Sequence, residues 1–223
     1  MRQWGKAWAL VGKDITMEWR RHEAFNIMFV FSLMVVVIFS FAFELRVDNA
    51  RQVAPGALWV AFAFAGVLGL NRSLAHERDD GCLEGLMLAP LERSAIYMAK
   101  AAANLIFIAG TELVVLPLFS VLFGVNVLRL DLLVVLFLGT LGLAAAGTLL
   151  AAMAVHTRAR DVLLPVLLLP VSVPLLIAAA KATAGLLDGV GLGGVSSWLQ
   201  LLAAFDVVFV VASYLLFEYV LEE

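Results

Sequence analysis

The 223-residue chain has only one cysteine and three histidines. A lone thiol, Cys82, excludes an internal disulfide and any cysteine-rich metal site. His22, His76 and His156 are far apart in the sequence, and no Cys-x-x-Cys-His run is present to attach haem. Charge is scarce as well. Asp, Glu, Lys and Arg make up 15% of the residues, where soluble domains carry about a quarter. A net charge of −3 provides no basic surface for nucleic acid. The nucleotide-binding loop is missing too: Gly12-Lys13 is followed by Asp14, and the position five before Gly12 is Ala7. The chain is therefore not expected to hydrolyse nucleotide. No nucleophile stands at a recognisable spacing from a base.

What is abundant is apolar sequence, at 63% of residues with a mean hydropathy of +1.00. That combination predicts an all-α polytopic membrane protein, because an unclosed strand would leave backbone groups unpaired in lipid. The length accommodates about six spans of ~20 residues. They are predicted near residues 24–43, 56–74, 94–124, 132–155, 162–180 and 199–220, in a single transmembrane domain over 1–223. Ala54-Pro55-Gly56 reads as a turn opening the second span, with Trp59 at the depth of the aromatic belt. Ser94 reads as the N-cap of the third, whose first turns, through Lys100, are placed in the interface.

Residues 1–23 carry too many charges to span. Trp4, Trp8, Val11, Ile15 and Trp19 recur at helical spacing on one face, with Lys6, Lys13 and Arg20 roughly opposite. This predicts an interfacial amphipathic helix in the headgroup layer; the competing reading packs it against protein. The arm shows no short apolar core with a small-residue cleavage site, so it is not expected to be a cleaved signal. Eleven of the 15 Lys and Arg residues fall in the arm and the segments on its side. The other four, Arg46, Arg51, Arg129 and Lys181, fall across the membrane. The positive-inside rule then places both termini, the 76–91 segment and the 156–161 loop in the cytoplasm.

The densest charge lies in that 76–91 segment. Glu77 to Leu88 is predicted to form a short helix, with Asp79 and Asp80 near its start, where the helix dipole favours acids, and Pro90 after its end. Cys82, Leu83, Leu86 and Met87 make an apolar strip. Arg78, Asp80, Glu84, Gly81 and Gly85 fill most of the remaining surface. Such a helix, tied between two spans, can receive a push from a soluble partner; it can equally be a solvated connector.

Inside the membrane, small residues from Gly139 to Ala152 crowd the fourth span and suit close helix contact, within the chain or between copies. Pro165, Pro170 and Pro174 bend the fifth span, as a fixed kink or a flexing point. Glu112 and Asp206 lie at a depth where a charge costs a few kcal/mol, so each should face protein or water. Five glycines between Gly185 and Gly194 predict a mobile or re-entrant turn before the sixth span, closed by Trp198.

Several of these residues form a pattern that resembles the CcmB family. Ala54-Pro55-Gly56 with Trp59-Val60-Ala61 is similar to the opening of that family's second span. Arg72, Asp80-Gly81-Cys82-Leu83-Glu84 and Leu86-Met87-Leu88-Ala89-Pro90-Leu91 resemble its cytoplasmic loop, with Ala99-Lys100 following at its spacing. Leu163-Leu164-Pro165 through Leu169-Pro170 and Pro174-Leu175-Leu176-Ile177 resemble its fifth span. The resemblance implies a non-catalytic inner-membrane permease subunit of an ABC transporter in cytochrome c biogenesis, with the ABC-2-type permease fold. It implies a partner ATPase, CcmA, two copies of each subunit, and the haem-handling proteins CcmC, CcmD and CcmE. It implies ATP through that partner, haem as cargo of the complex, or ATP-driven release of haem-loaded CcmE. It also makes Glu77–Leu88 a coupling helix. The competing classes are an ion-coupled secondary transporter using Glu112 and Asp206, and an intramembrane enzyme, for which no converging polar groups are found.

Overall fold

A computed structural model describes residues 2–43, 47–79, 93–127, 129–155, 157 and 159–220 of the chain. All regular structure among them is helical. The helices are α1 (Arg2–Arg21), α2 (Glu23–Ala42), α3 (Val47–Asp79), α4 (Arg93–Phe123), α5 (Leu130–Val155), α6 (Arg160–Leu187), the short α7 (Gly191–Gly194) and α8 (Ser196–Val220). Six of them, α2 to α6 and α8, are long and apolar enough to cross a membrane. The protein is a multi-pass membrane protein. The spans alternate in direction, so α1 and the junctions α3–α4 and α5–α6 share one end of the bundle, the arm end.

The bundle is built around α5. It touches α3, α4, α6 and α8, and these four close a ring: α3 touches α4 and α6, and α8 touches α4 and α6. Helices α4 and α6 thus stand on opposite sides of α5. Helix α2 lies outside, against α3 and α4. The small residues of α5 make this central position feasible. A Cβ at Gly139 would lie 2.1 Å from the Trp59 ring, one at Gly147 2.3 Å from Leu70, and one at Gly142 2.6 Å from Asp206. These glycines are thus explained by contacts within the chain. Trp59 is buried among the helices, and its Nε1 donates to Thr183 Oγ1 at 3.0 Å. A buried indole needs such a partner, and a small-residue seam on α5 lets the ring in.

Three boundaries differ from the sequence prediction. Ala54-Pro55-Gly56 lies inside α3, which begins at Val47, and is not a turn. Ala54 and Pro55 are buried, and packing there outweighs the one backbone bond that the proline lacks. Ser94 is likewise inside α4, which starts at Arg93. Helix α6 runs on to Leu187, so Lys181 belongs to a span and not to the following loop. The glycine-rich segment after it is compact: Gly189 and Gly191 take φ of +84° and +76°, which L-residues avoid, and reverse the chain into α7 and α8.

The arm is helical, and one of its faces packs on protein. Ala7, Leu10 and Val11 are buried in a cluster with Ile96, Tyr97 and Ala99 of α4. Trp8 and Trp19 point elsewhere, at 67% and 76% exposed. At about 100° per residue they stand roughly a third of a turn from the centre of the buried face. The predicted single apolar face is therefore two: a protein-facing strip that takes Val11, and an outward strip of tryptophan.

Candidate functional site

The predicted coupling segment meets the described structure at its two ends. Asp80, Gly81, Leu83, Glu84, Gly85, Leu86 and Met87 lie outside the described residues. Glu77 and Arg78 form the last turn of α3, so the separate helix predicted to begin at Glu77 does not start there; the second span's helix continues through Asp79. A continuous helix is the lower-energy solution where nothing between Leu74 and Asp79 removes a backbone bond.

Both ends of the segment are anchored in the bundle. On the α3 side, Arg72 donates to Glu23 at the start of α2, at 2.8 Å. Beside it, Asn71 donates to Asp161 at the start of α6, at 3.3 Å. These side chains are about half exposed, 52% for Arg72 and 48% for Glu23, so the ion pair is worth at most about 1 kcal/mol. On the α4 side the anchors are buried. Lys100 donates to Asp14 of the arm at 2.6 Å, with 6% and 11% of the two side chains exposed. Tyr97 donates to the Ala145 carbonyl of α5 at 3.2 Å, and Asn104 to Thr148 of α5 at 2.9 Å. Lys100 was placed in the interface by sequence; it is buried because Asp14 comes over it on α1. Helix α3 is thus tied to α2 and α6, and α4 to α1 and α5.

The intramembrane acids are buried but do not meet. Glu112 of α4 accepts from the Thr140 hydroxyl of α5, at 2.8 Å to Oε1 and 2.7 Å to Oε2. It lines an apolar cleft of about 320 Å³ between α4 and α5. Asp206 of α8 is lodged against Gly142 with Leu175 and Phe205 beside it, and neither carboxyl oxygen has a hydrogen-bond partner among the described residues. Thr140 and Gly142, two residues apart, point to nearly opposite sides of α5. The acids consequently do not make a shared carboxylate pair. No three His, Cys, Asp or Glu side chains converge as a metal site among the described residues. Pro165, Pro170 and Pro174 all lie within the single helix α6, with Pro170 and Pro174 exposed on its outer surface. The backbone bonds they remove are thus on the side that packing does not hold.

Sequence reasoning missed the partners rather than the residues. Asp14 is 86 residues from Lys100, Glu23 is 49 from Arg72, and Asp161 is 90 from Asn71. At the far end Arg129 donates to Asp131 and, at 3.1 Å, to the Leu186 carbonyl, tying the start of α5 to the end of α6. The only local signal was a charge adjoining an apolar run, which marks a helix end but not its neighbour.

Comparison with known proteins adds to this geometry. The family model described as CcmB protein matches residues 5–221. Heme exporter protein B of Rhodobacter capsulatus is 34% identical over 174 residues, 78% of this chain and 80% of that protein. Heme exporter protein B of Pseudomonas aeruginosa is 29% identical, covering 87% of this chain and 88% of its own. The Escherichia coli protein of the same name is 31% identical over 180 residues.

Proposed function

Because the chain belongs to the CcmB family, we propose that it is the membrane-spanning, non-catalytic subunit of an ABC transporter for haem export. The relatives are named for that export. ATP is hydrolysed by a separate chain, CcmA, and the complex holds two copies of each. CcmC, CcmD and CcmE receive or hold the haem, and the ATP-driven step either moves haem or releases haem-loaded CcmE. The protein lies in the inner membrane with both termini and the 76–91 segment in the cytoplasm, as the bias of basic residues favours.

In this reading residues 77–88 couple the ATPase to the spans, with Leu83, Leu86 and Met87 as buried contact and Arg78, Asp80 and Glu84 at its rim. The observation that carries it is the anchoring on both sides of residues 80–92, by Arg72–Glu23 and Asn71–Asp161 before it and Lys100–Asp14 after it. A push there meets attached helices rather than loose loops. Helix α6, with three prolines and reached through Asp161, is the span best suited to flex. The arm over residues 1–23 lies along the bundle flank with Trp8 and Trp19 in the headgroup layer. An ion-coupled carrier built on Glu112 and Asp206 draws less support, because the two acids flank α5 on different sides.

The test is purification of the tagged chain from its own membranes in mild detergent. An ATPase subunit should accompany it in about equal amount, and Leu86→Ala should weaken that capture more than Asp79→Ala. A truncated buried leucine costs about 2–5 kcal/mol and an exposed charge about 1 or less. A chain that is intact, folded and free of ATPase contradicts the proposal.

A further inference from the structure

The cleft at Glu112 asks for an occupant. Glu112 is 4% exposed, yet it lines the cleft together with the outward-facing Ile106, Leu113 and Phe137. Thr140 and Glu112 are the polar residues of an otherwise apolar lining. The Thr140 hydroxyl has a single hydrogen and three acceptors in reach: the two Glu112 oxygens and the Leu136 carbonyl at 2.7 Å. It serves one of them at a time, so an ionised Glu112 keeps one oxygen without a donated hydrogen from it. At this depth that acceptor is costly to leave open.

Depth restricts what can fill it. Glu112 is eleven residues from the far end of α4, about 16 Å below it by helix rise. Lipid headgroups stay at the interface, and acyl chains carry no donor. Within this chain, the exposed side-chain donor nearest to that level among the described residues is Lys181, about 9 Å below the far end of α6. Helix α6, however, stands across α5 from α4. A copy offering Lys181 to Glu112 would make a head-to-tail contact that does not close into a two-fold dimer.

We propose that the α4–α5 cleft is the docking groove for a transmembrane helix of a separate polypeptide, which presents a basic or amide side chain to Glu112. Charge complementarity fixes the register, and the apolar rim supplies close packing. This goes beyond the coupling assignment and does not depend on it, since none of these residues belongs to the 76–91 segment.

The experiment places a photoreactive side chain at Leu113 or at Phe137 in the full-length protein in its own membranes, with Val173 on α6 as control. The expected result is an adduct at both test positions, and not at Val173, with one membrane polypeptide. Its mapped peptide is a transmembrane segment containing Lys, Arg, His, Asn or Gln. At equal membrane level the adduct falls about tenfold or more in Glu112→Leu and survives in Glu112→Gln. Replacing the mapped donor by leucine removes it in the same way, which carries the test if Glu112→Leu fails to accumulate. Adducts with lipid alone, adducts with a second copy of this chain, or a heterologous adduct indifferent to Glu112→Leu and to loss of the donor would each overturn the proposal.

Discussion

The most consequential residue pair in the described structure is Lys100 with Asp14. A buried ammonium is costly to leave without its carboxylate, and removing one partner of such a pair typically costs about 3–5 kcal/mol. Asp14→Asn and Lys100→Met should each lower the thermal midpoint of the detergent-solubilised protein strongly. The double apolar variant Asp14→Leu with Lys100→Leu should recover most of the loss, because it leaves no stranded charge. Lys13, 3.3 Å from Asp14 and 36% exposed, can follow the carboxylate only partly into the site. Recovery no better than either single variant would show that the pair is not the anchor of the arm. The glycines make a second test at this scale. Gly139→Val should destabilise by about 1–3 kcal/mol, since a Cβ there falls 2.1 Å from the rigid Trp59 ring. Gly56→Ala, with nothing within 4 Å, should be neutral or slightly stabilising by the better helix propensity of alanine. Equal effects of the two on the unfolding midpoint would refute the packing account of α5.

At the scale of elements, α3 has an unusual task. It runs from the far end through the bundle and continues as helix into the charged segment at Glu77–Asp79. A helix transmits a push along its axis without a joint, and Asn71 and Arg72 sit where it leaves the bundle. The double variant Asn71→Leu with Arg72→Leu should leave ATPase capture close to the parent and the membrane level unchanged, while the nucleotide-driven output of the complex falls several-fold. Exposed contacts of this kind are each worth about 1 kcal/mol or less, so the fold survives their loss. Loss of capture in parallel with output would mean that these residues belong to docking rather than to transmission.

The elements themselves were legible in the sequence, and their contacts were not. Six spans follow from hydropathy alone, because a helix in lipid must be both apolar and long enough. Pro55 misled because a proline beside glycine is a turn signal in water, whereas a buried proline within a long membrane helix is tolerated by its packing. The arm misled by less: Trp8, Val11 and Trp19 lie within one broad arc, and periodicity does not say where protein ends and lipid begins on that arc. The fourth span's small residues were correctly flagged as a contact surface, but which helices they admit depends on Trp59 and Asp206, far away in the chain. Glu112 and Asp206 are expected from the sequence to face protein or water, and both are buried. Their separation by α5 follows from the ring of helices and from nothing local.

As a whole molecule, the proposed permease would take up force at its arm end and distribute it through its core. The family match over residues 5–221 and the six candidate spans make it a multi-pass membrane protein of the CcmB family. Its coupling to a separate ATPase is the central claim. Cys82, the only cysteine, lies in the proposed coupling segment and serves as a native probe. The direct measurement is the rate of Cys82 alkylation by a membrane-impermeant maleimide in inside-out vesicles, with and without the ATPase subunit. The account predicts labelling in the stripped vesicles and about tenfold slower labelling when the ATPase is bound, with the protection lost in Leu83→Asp, since a buried interface anchor is expected to carry that much of the binding. Equal labelling rates with the ATPase bound and absent, or labelling only from the opposite face of the membrane, would contradict it.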